Sequence, residues 1–144
     1  MIKNVFGEIF GLLSKFFLSK MPTRHLSDAV IKYFSVGGVN MKNVEKIKVL
    51  RAVEGSEKTI DYYNVLGNMG DLKYNYSDYM ITGPVVADEE LKRLPHANYE
   101  LCCALMTMLL REDYFDNGQF IRRCQNGQVS LIINKMTELL SQQI

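Results

Sequence analysis

The residues best equipped for chemistry fall in the stretch LLREDYFDNGQFIRRCQNGQV, from Leu109 to Val129. There Arg111, Glu112, Asp113 and Asp116 crowd together and Arg122-Arg123 follow. An arginine in such a place can donate two parallel hydrogen bonds to a carboxylate, a phosphate or the free carbonyls at a helix end. Arg111 is therefore the candidate anion or nucleotide anchor. The competing expectation, which the sequence favours, is a buried Arg111 that stitches the turns of a helical hairpin, since Arg is the usual residue of partly buried ion pairs. Asp113 and Asp116 have the chemistry of a paired-carboxylate site, but no third ligand converges on them, and helix capping is the commoner use of Asp beside a turn.

Elsewhere the reactive side chains are scattered. His25 and His96 have no Cys or acid at the spacing of a metal site. Cys102-Cys103 lies in an apolar run, where free Cys acts as a small hydrophobe, and no histidine pairs recognisably with it to make a nucleophile. The short segment QFIRRC between two Asn-Gly turns has the layout of a helix-turn-helix, with Arg122 and Arg123 turned to DNA. Against that, residues 52–144 carry eight Lys/Arg against thirteen acids, and duplex binding rests on neutralising phosphates. Tyrosines concentrated from Tyr62 to Tyr79 have the rings to stack bases, though such residues more often pack half-exposed strands. No catalytic constellation, metal site or cofactor is expected.

These residues need a scaffold, and 144 residues suffice for one domain burying roughly 70% of its unfolded surface. An apolar fraction of 47% and a charged fraction of 23% are those of a globular protein. The net charge of +1 conceals a basic front: residues 1–51 hold nine Lys/Arg against three acids. That asymmetry offers a surface for partners or simply two solvated faces. Three cysteines make no complete disulfide framework, and the first 20 residues lack a continuous apolar signal core. A cytoplasmic location is expected.

The chain divides into three segments. In residues 2–18, Ile2, Val5, Phe6, Ile9, Leu13, Phe16 and Phe17 recur at steps of three and four, which predicts an amphipathic helix. It would dock on its own domain or, with Lys3, Lys15 and Lys20 beside it, on a membrane surface or a partner groove. A second helix over about 27–34 stops at Gly37-Gly38, completing an N-terminal helical part over 1–36. Residues 46–82 then read as an antiparallel β-meander: KIKVLRAV, KTIDYYNVL and LKYNYSDYMIT, separated by EGSE and GNMGD. The rival is helical, with Ile60, Tyr63 and Leu66 on one face.

The last part, 88–142, returns to helices. A short acidic-start helix, DEELKRL, precedes a long one over about 98–115 that is apolar around most of its circumference and should be the central element. Asp116 and Gln119 suggest a capping box starting a helix through Cys124. Gly118, in its first turn, would allow a close approach to a neighbouring helix. Gly127 supplies a left-handed cap before a final helix over about 129–140.

The series Arg111, Phe115, Gly118 and Gly127 ahead of the terminal helix SLIINKMTELL resembles an uncharacterised bacterial family, the domain of unknown function numbered 6508, over roughly residues 85–141. The resemblance implies an origin in bacteria or their phages and mobile elements, and it implies no known activity. Phe115, Asp116, Gly118 and Gly127 are read as turn and cap residues.

The expectation is thus a single α+β domain, all-α being the alternative, that binds another macromolecule, most naturally a protein, without catalysis. The binding candidates are Arg111, Arg122 and Arg123. Nucleic acid is disfavoured, a membrane surface is the alternative for helix 2–18, and the oligomeric state is left open.

Overall fold

The structure, a computed structural model, describes residues 41–144. The expected helices at 2–18 and 27–34, the Gly37-Gly38 stop and His25 lie outside the described residues. Within them run α1 (Asn43–Val53), α2 (Thr59–Met69), a 3-10 turn (Tyr76–Tyr79), α3 (Ala87–Leu91), a second 3-10 turn (Leu94–His96), α4 (Tyr99–Phe115), α5 (Gln119–Gln125) and α6 (Gln128–Ser141).

The α+β expectation is corrected: the described residues contain no strand, and the supposed meander over 46–82 is α1, α2 and an irregular segment with one 3-10 turn. In KIKVLRAV the alternation of Ile47, Val49 and Val53 coexists with Leu50, which an extended strand would point to the polar face. The helix buries all four. In α2 the buried positions are Tyr62, Val65, Leu66 and Met69, spaced as one helical face, while Ile60 is exposed and Tyr63 only half-buried. The helical rival therefore had the element and Leu66 right, while Ile60 and Tyr63 lie off the buried face. β-Branched and aromatic content reports fit to a half-buried surface more than an intrinsic backbone preference. Here packing of α1 on α6 and α2 supplies that surface.

The turn expected in GNMGD falls at its second glycine. Gly70 has φ +75°, and the amides of Gly70 and Asp71 return to the carbonyls of Gly67 and Leu66 at 3.1 and 2.9 Å, ending α2.

Helix α4 is central, as its composition required. Nine consecutive residues, Cys102 to Leu110, are buried, and the helix packs against α2, α3, α5, α6 and the 76–79 turn. Its start is fixed by Asn98, whose side-chain oxygen accepts from the Leu101 amide at 2.8 Å. The terminal α6 covers it with Val129, Ile132, Ile133, Met136 and Leu140, a stripe with helical spacing.

Two left-handed glycines articulate the hairpin. Gly118, at φ +95°, is the residue from which α5 starts, and a Cβ there would meet nothing within 4 Å. Its use is backbone conformation, not the close helix approach expected from the sequence. The capping group also differs: Asp113 Oδ1 accepts from the amides of Gly118 and Phe120 at 3.1 and 3.0 Å. Asp116 instead accepts from the side chain of Gln119 at 2.6 Å. Gly127 has φ +85° between α5 and α6, in line with the expected left-handed cap, and its environment is equally open. Gly127→Val should cost about 1 kcal/mol or more through backbone strain alone, read as a lower midpoint in urea unfolding. Unchanged stability would contradict the left-handed assignment.

Candidate functional site

The stitching arginine is Arg123, not Arg111. Phe120 and Arg123, three residues apart, share the buried face of α5. The Arg123 guanidinium forms a two-pronged pair with Glu112 on α4, Nε to Oε1 at 3.0 Å and Nη2 to Oε2 at 2.8 Å. Its Nη1 donates to Asp88 on α3 and, at 3.0 Å, to Gln128 on α6. One side chain thus ties four helices together. The hydrogen bonds to Glu112 raise its pKa despite the opposing effect of burial, while Arg123 in turn holds the exposed Asp88 carboxyl below its ordinary range. The guanidinium is buried and committed to partners on its own chain, so of the expected Arg122-Arg123 pair only Arg122 faces solvent.

Arg111 is half-exposed and makes no hydrogen bond or ion pair among the described residues. Its guanidinium carbon lies 5.0 Å from the centre of the Tyr114 ring and 5.9 Å from that of Phe115, within cation–π range. The two rings meet edge to face, 5.1 Å apart. Both are exposed, Tyr114 by 73% and Phe115 by 75%. Phe115 therefore does not act as the internal turn residue expected of it; it stands in solvent at the end of the most buried helix.

On its other side Phe115 borders a cleft of about 410 Å³ between α4 and the segment leading into α3. Tyr76, Pro84, Val85 and Met108 form its walls, with Glu112 and Asp116 at its edge. The wall is anchored by Glu90, whose fully buried carboxylate accepts from the Ile81 and Thr82 amides at 3.0 and 2.6 Å, from the Thr82 hydroxyl and from Arg93 at 2.8 Å. Burial alone would raise this carboxyl. The bonds from Thr82, Arg93 and Ile81 outweigh it, and its pKa falls below the ordinary value. Glu90 escaped sequence reasoning because its partners Ile81 and Thr82 end the run LKYNYSDYMIT, whose expected strand would engage their amides in a ladder. Arg123 had a signal, its three-residue step from Phe120, that could have marked it as inward-facing.

The remaining polar clusters are structural. Asp71 accepts from Lys46 at 2.9 Å and from the Tyr99 hydroxyl at 2.6 Å, closing α1 and the end of α2 onto α4. Ser56 donates to the buried Asp61 at 2.5 Å and accepts from the Lys58 amide at 3.1 Å, ordering the turn before α2. A second depression, of about 470 Å³, has Asp113 in its wall, but that carboxylate oxygen already holds two amides. All three cysteines are free thiols; burial pushes Cys102 and Cys124 up to about 11 and raises Cys103 further, the opposite of an activated nucleophile. His96 is exposed. Among the described residues no group of three His, Cys, Asp or Glu could hold a metal ion, and no helix is long and apolar enough to cross a membrane.

The chain matches no protein-family profile, no curated protein and no solved structure.

Two substitutions separate the arginines. Arg123→Ala leaves Glu112 without its partner and should cost roughly 3 kcal/mol, whereas Arg111→Ala should cost less than about 1 kcal/mol. Denaturant titration of both variants decides it, and equal effects would refute the assignment. For Glu90 the sign follows from its lowered pKa. The stabilisation it provides is complete above its ordinary value of 4.5 and is lost as pH falls through the depressed folded value. Glu90→Gln should therefore cost about 2 kcal/mol near neutrality, with the gap to the parent protein closing in thermal melts as the pH drops below 4.5. A gap independent of pH would contradict the buried-carboxylate account.

Proposed function

We propose that this protein works by binding another protein through the exposed end of α4, and that it does so without catalysis. The observation carrying the proposal is the Tyr114–Phe115 pair. Two large rings, about three-quarters exposed and stacked edge to face under an arginine, border an apolar-walled cleft. Burying an aromatic side chain is worth about 1.5–3 kcal/mol, and the fold leaves that gain unused at both positions. Tyr and Arg are also the residue types most enriched where protein interfaces concentrate their binding energy. Each lacks a catalytic neighbour here, since the nearby carboxylates Glu112 and Asp113 are engaged by Arg123 and by backbone amides.

The resemblance of residues 85–141 to the family of unknown function numbered 6508 is carried forward as part of this proposal. The series Arg111, Phe115, Gly118 and Gly127 supports it by lying on one continuous feature, the end of α4 and the two left-handed turns that follow. The family adds no activity to the reading.

The test is the double variant Tyr114→Ala/Phe115→Ala in the full chain, with Leu131→Ala, an exposed residue of α6, as control. The melting temperature of the double variant should stay close to that of the parent, because neither ring is buried. In affinity capture, a stoichiometric protein partner should be held by the parent and the control and lost by the double variant. A partner that the double variant retains would refute this face as the binding site.

A further inference from the structure

The protein-binding reading of the α4 end leaves the chemistry of the partner open, and the inference here rests on that reading. We infer that the partner segment is basic: it sets an apolar side chain into the cleft beside Phe115 and a lysine or arginine against Asp116. The cleft of about 410 Å³ is walled by Tyr76, Pro84, Val85, Met108 and Phe115. Val85 and Phe115 are exposed by 39% and 75%, so an apolar group seated there covers surface that the fold leaves in water. Among the described residues the charged groups lining the cleft are two carboxylates, Glu112 and Asp116, and no cation joins them.

The surrounding charges leave that acidic edge uncompensated. Arg123 is buried, and Glu112 and Asp88 both close on it, so with Asp116 three carboxylates stand around one guanidinium. Asp116 is exposed, and its side chain is held only by the neutral amide of Gln119 at 2.6 Å. The cations that follow α3 pair with its own acids, Lys92 with Glu89 at 2.9 Å and Arg93 with Glu90 at 2.8 Å. Arg111 is absent from the cleft wall, its guanidinium lying over the Tyr114 ring. A partner that presents phosphates, whether nucleic acid or anionic lipid, meets repulsion at such an edge. A lysine or arginine beside an apolar anchor is matched at both halves, and a charge at the rim of an apolar contact is what sets register and partner choice. The cleft and the exposed ring make the site; the acids select its occupant.

Two synthetic peptides of the same amphipathic pattern test this, one of Leu and Lys and one of Leu and Glu. Each carries fluorescein and is titrated with the full chain by anisotropy. The Leu/Lys peptide should bind the parent and lose at least tenfold in affinity for Phe115→Ala and for Asp116→Lys. Asp116→Asn keeps an oxygen for the Gln119 amide but removes the charge, and should show an intermediate loss. The Leu/Glu peptide should gain at least tenfold for Asp116→Lys relative to the parent. Loss for one peptide and gain for the other on the same substitution is a pattern that damage to the fold does not produce. A Leu/Lys peptide that binds the parent no better than it binds Asp116→Lys, or a Leu/Glu peptide indifferent to that substitution, would overturn the inference. So would a parent that sediments as a dimer and binds neither peptide, since a second copy would then be the occupant. If a captured protein is lost on Tyr114→Ala/Phe115→Ala but held undiminished by Asp116→Lys, the basic assignment fails while the binding face stands.

Discussion

Helix α4 imposes the constraint that the rest of the described chain obeys. With every residue from Cys102 to Leu110 buried, it has no solvent face over two and a half turns, so other elements must surround it. Helices α2, α3, α5 and α6 and the 76–79 turn do so. Several are too short to be stable alone: α3 has five residues and α5 seven, well below the length at which an isolated helix persists in water. They exist because α4 gives them an apolar surface to lie on. The core is built largely around this one rod, with Phe120 edge-on to Tyr62 at 4.9 Å where α5 and α2 meet, while α1 joins it through α6 and α2.

Enclosing a rod with short helices leaves many helix ends near the interior, and their polar groups need partners. Two buried charged groups hold the short elements to one another. Arg123 joins α3, α4, α5 and α6 through Asp88, Glu112 and Gln128. Glu90 gathers the backbone of Ile81 and Thr82, together with Arg93, which itself bonds the Tyr79 carbonyl at 2.8 Å. Both are hydrogen-bonded at nearly every position they offer, the condition under which a buried charge specifies an arrangement instead of destabilising it. The segment that Glu90 holds is also the wall of the cleft. The shape of the candidate interaction face therefore depends on a carboxylate that never touches it.

The aromatic end of α4 is the other product of the same constraint. The core ends at Leu110, but the helix continues to Phe115, and this overhang carries Arg111, Tyr114 and Phe115 out into solvent. An overhanging turn stiffened by a buried helix holds its rings in place without spending their burial on the fold. That pre-organisation reduces the ordering cost a partner would otherwise face.

What the sequence determined by itself was local. The apolar girdle of residues 101–110, the start of α4 near Asn98, the Gly127 turn and the stripe of α6 were all legible, because backbone conformation and helical periodicity are properties of near neighbours. The tertiary structure decided whatever depends on contacts distant in the chain. KIKVLRAV and KTIDYYNVL contain both a strand-like and a helix-like pattern, and the helix was selected by packing α1 on α6, 86 positions apart at Arg51 and Thr137, and α2 on α1 and α4. Which of Arg111 and Arg123 turns inward was settled the same way. Arg111 lies beside acids in the chain and Arg123 does not, yet it is Arg123 that the fold brings to Asp88, Glu112 and Gln128 together. A residue's type states which bonds it can make; only the converging helices supply the partners and remove the water that would otherwise take their place.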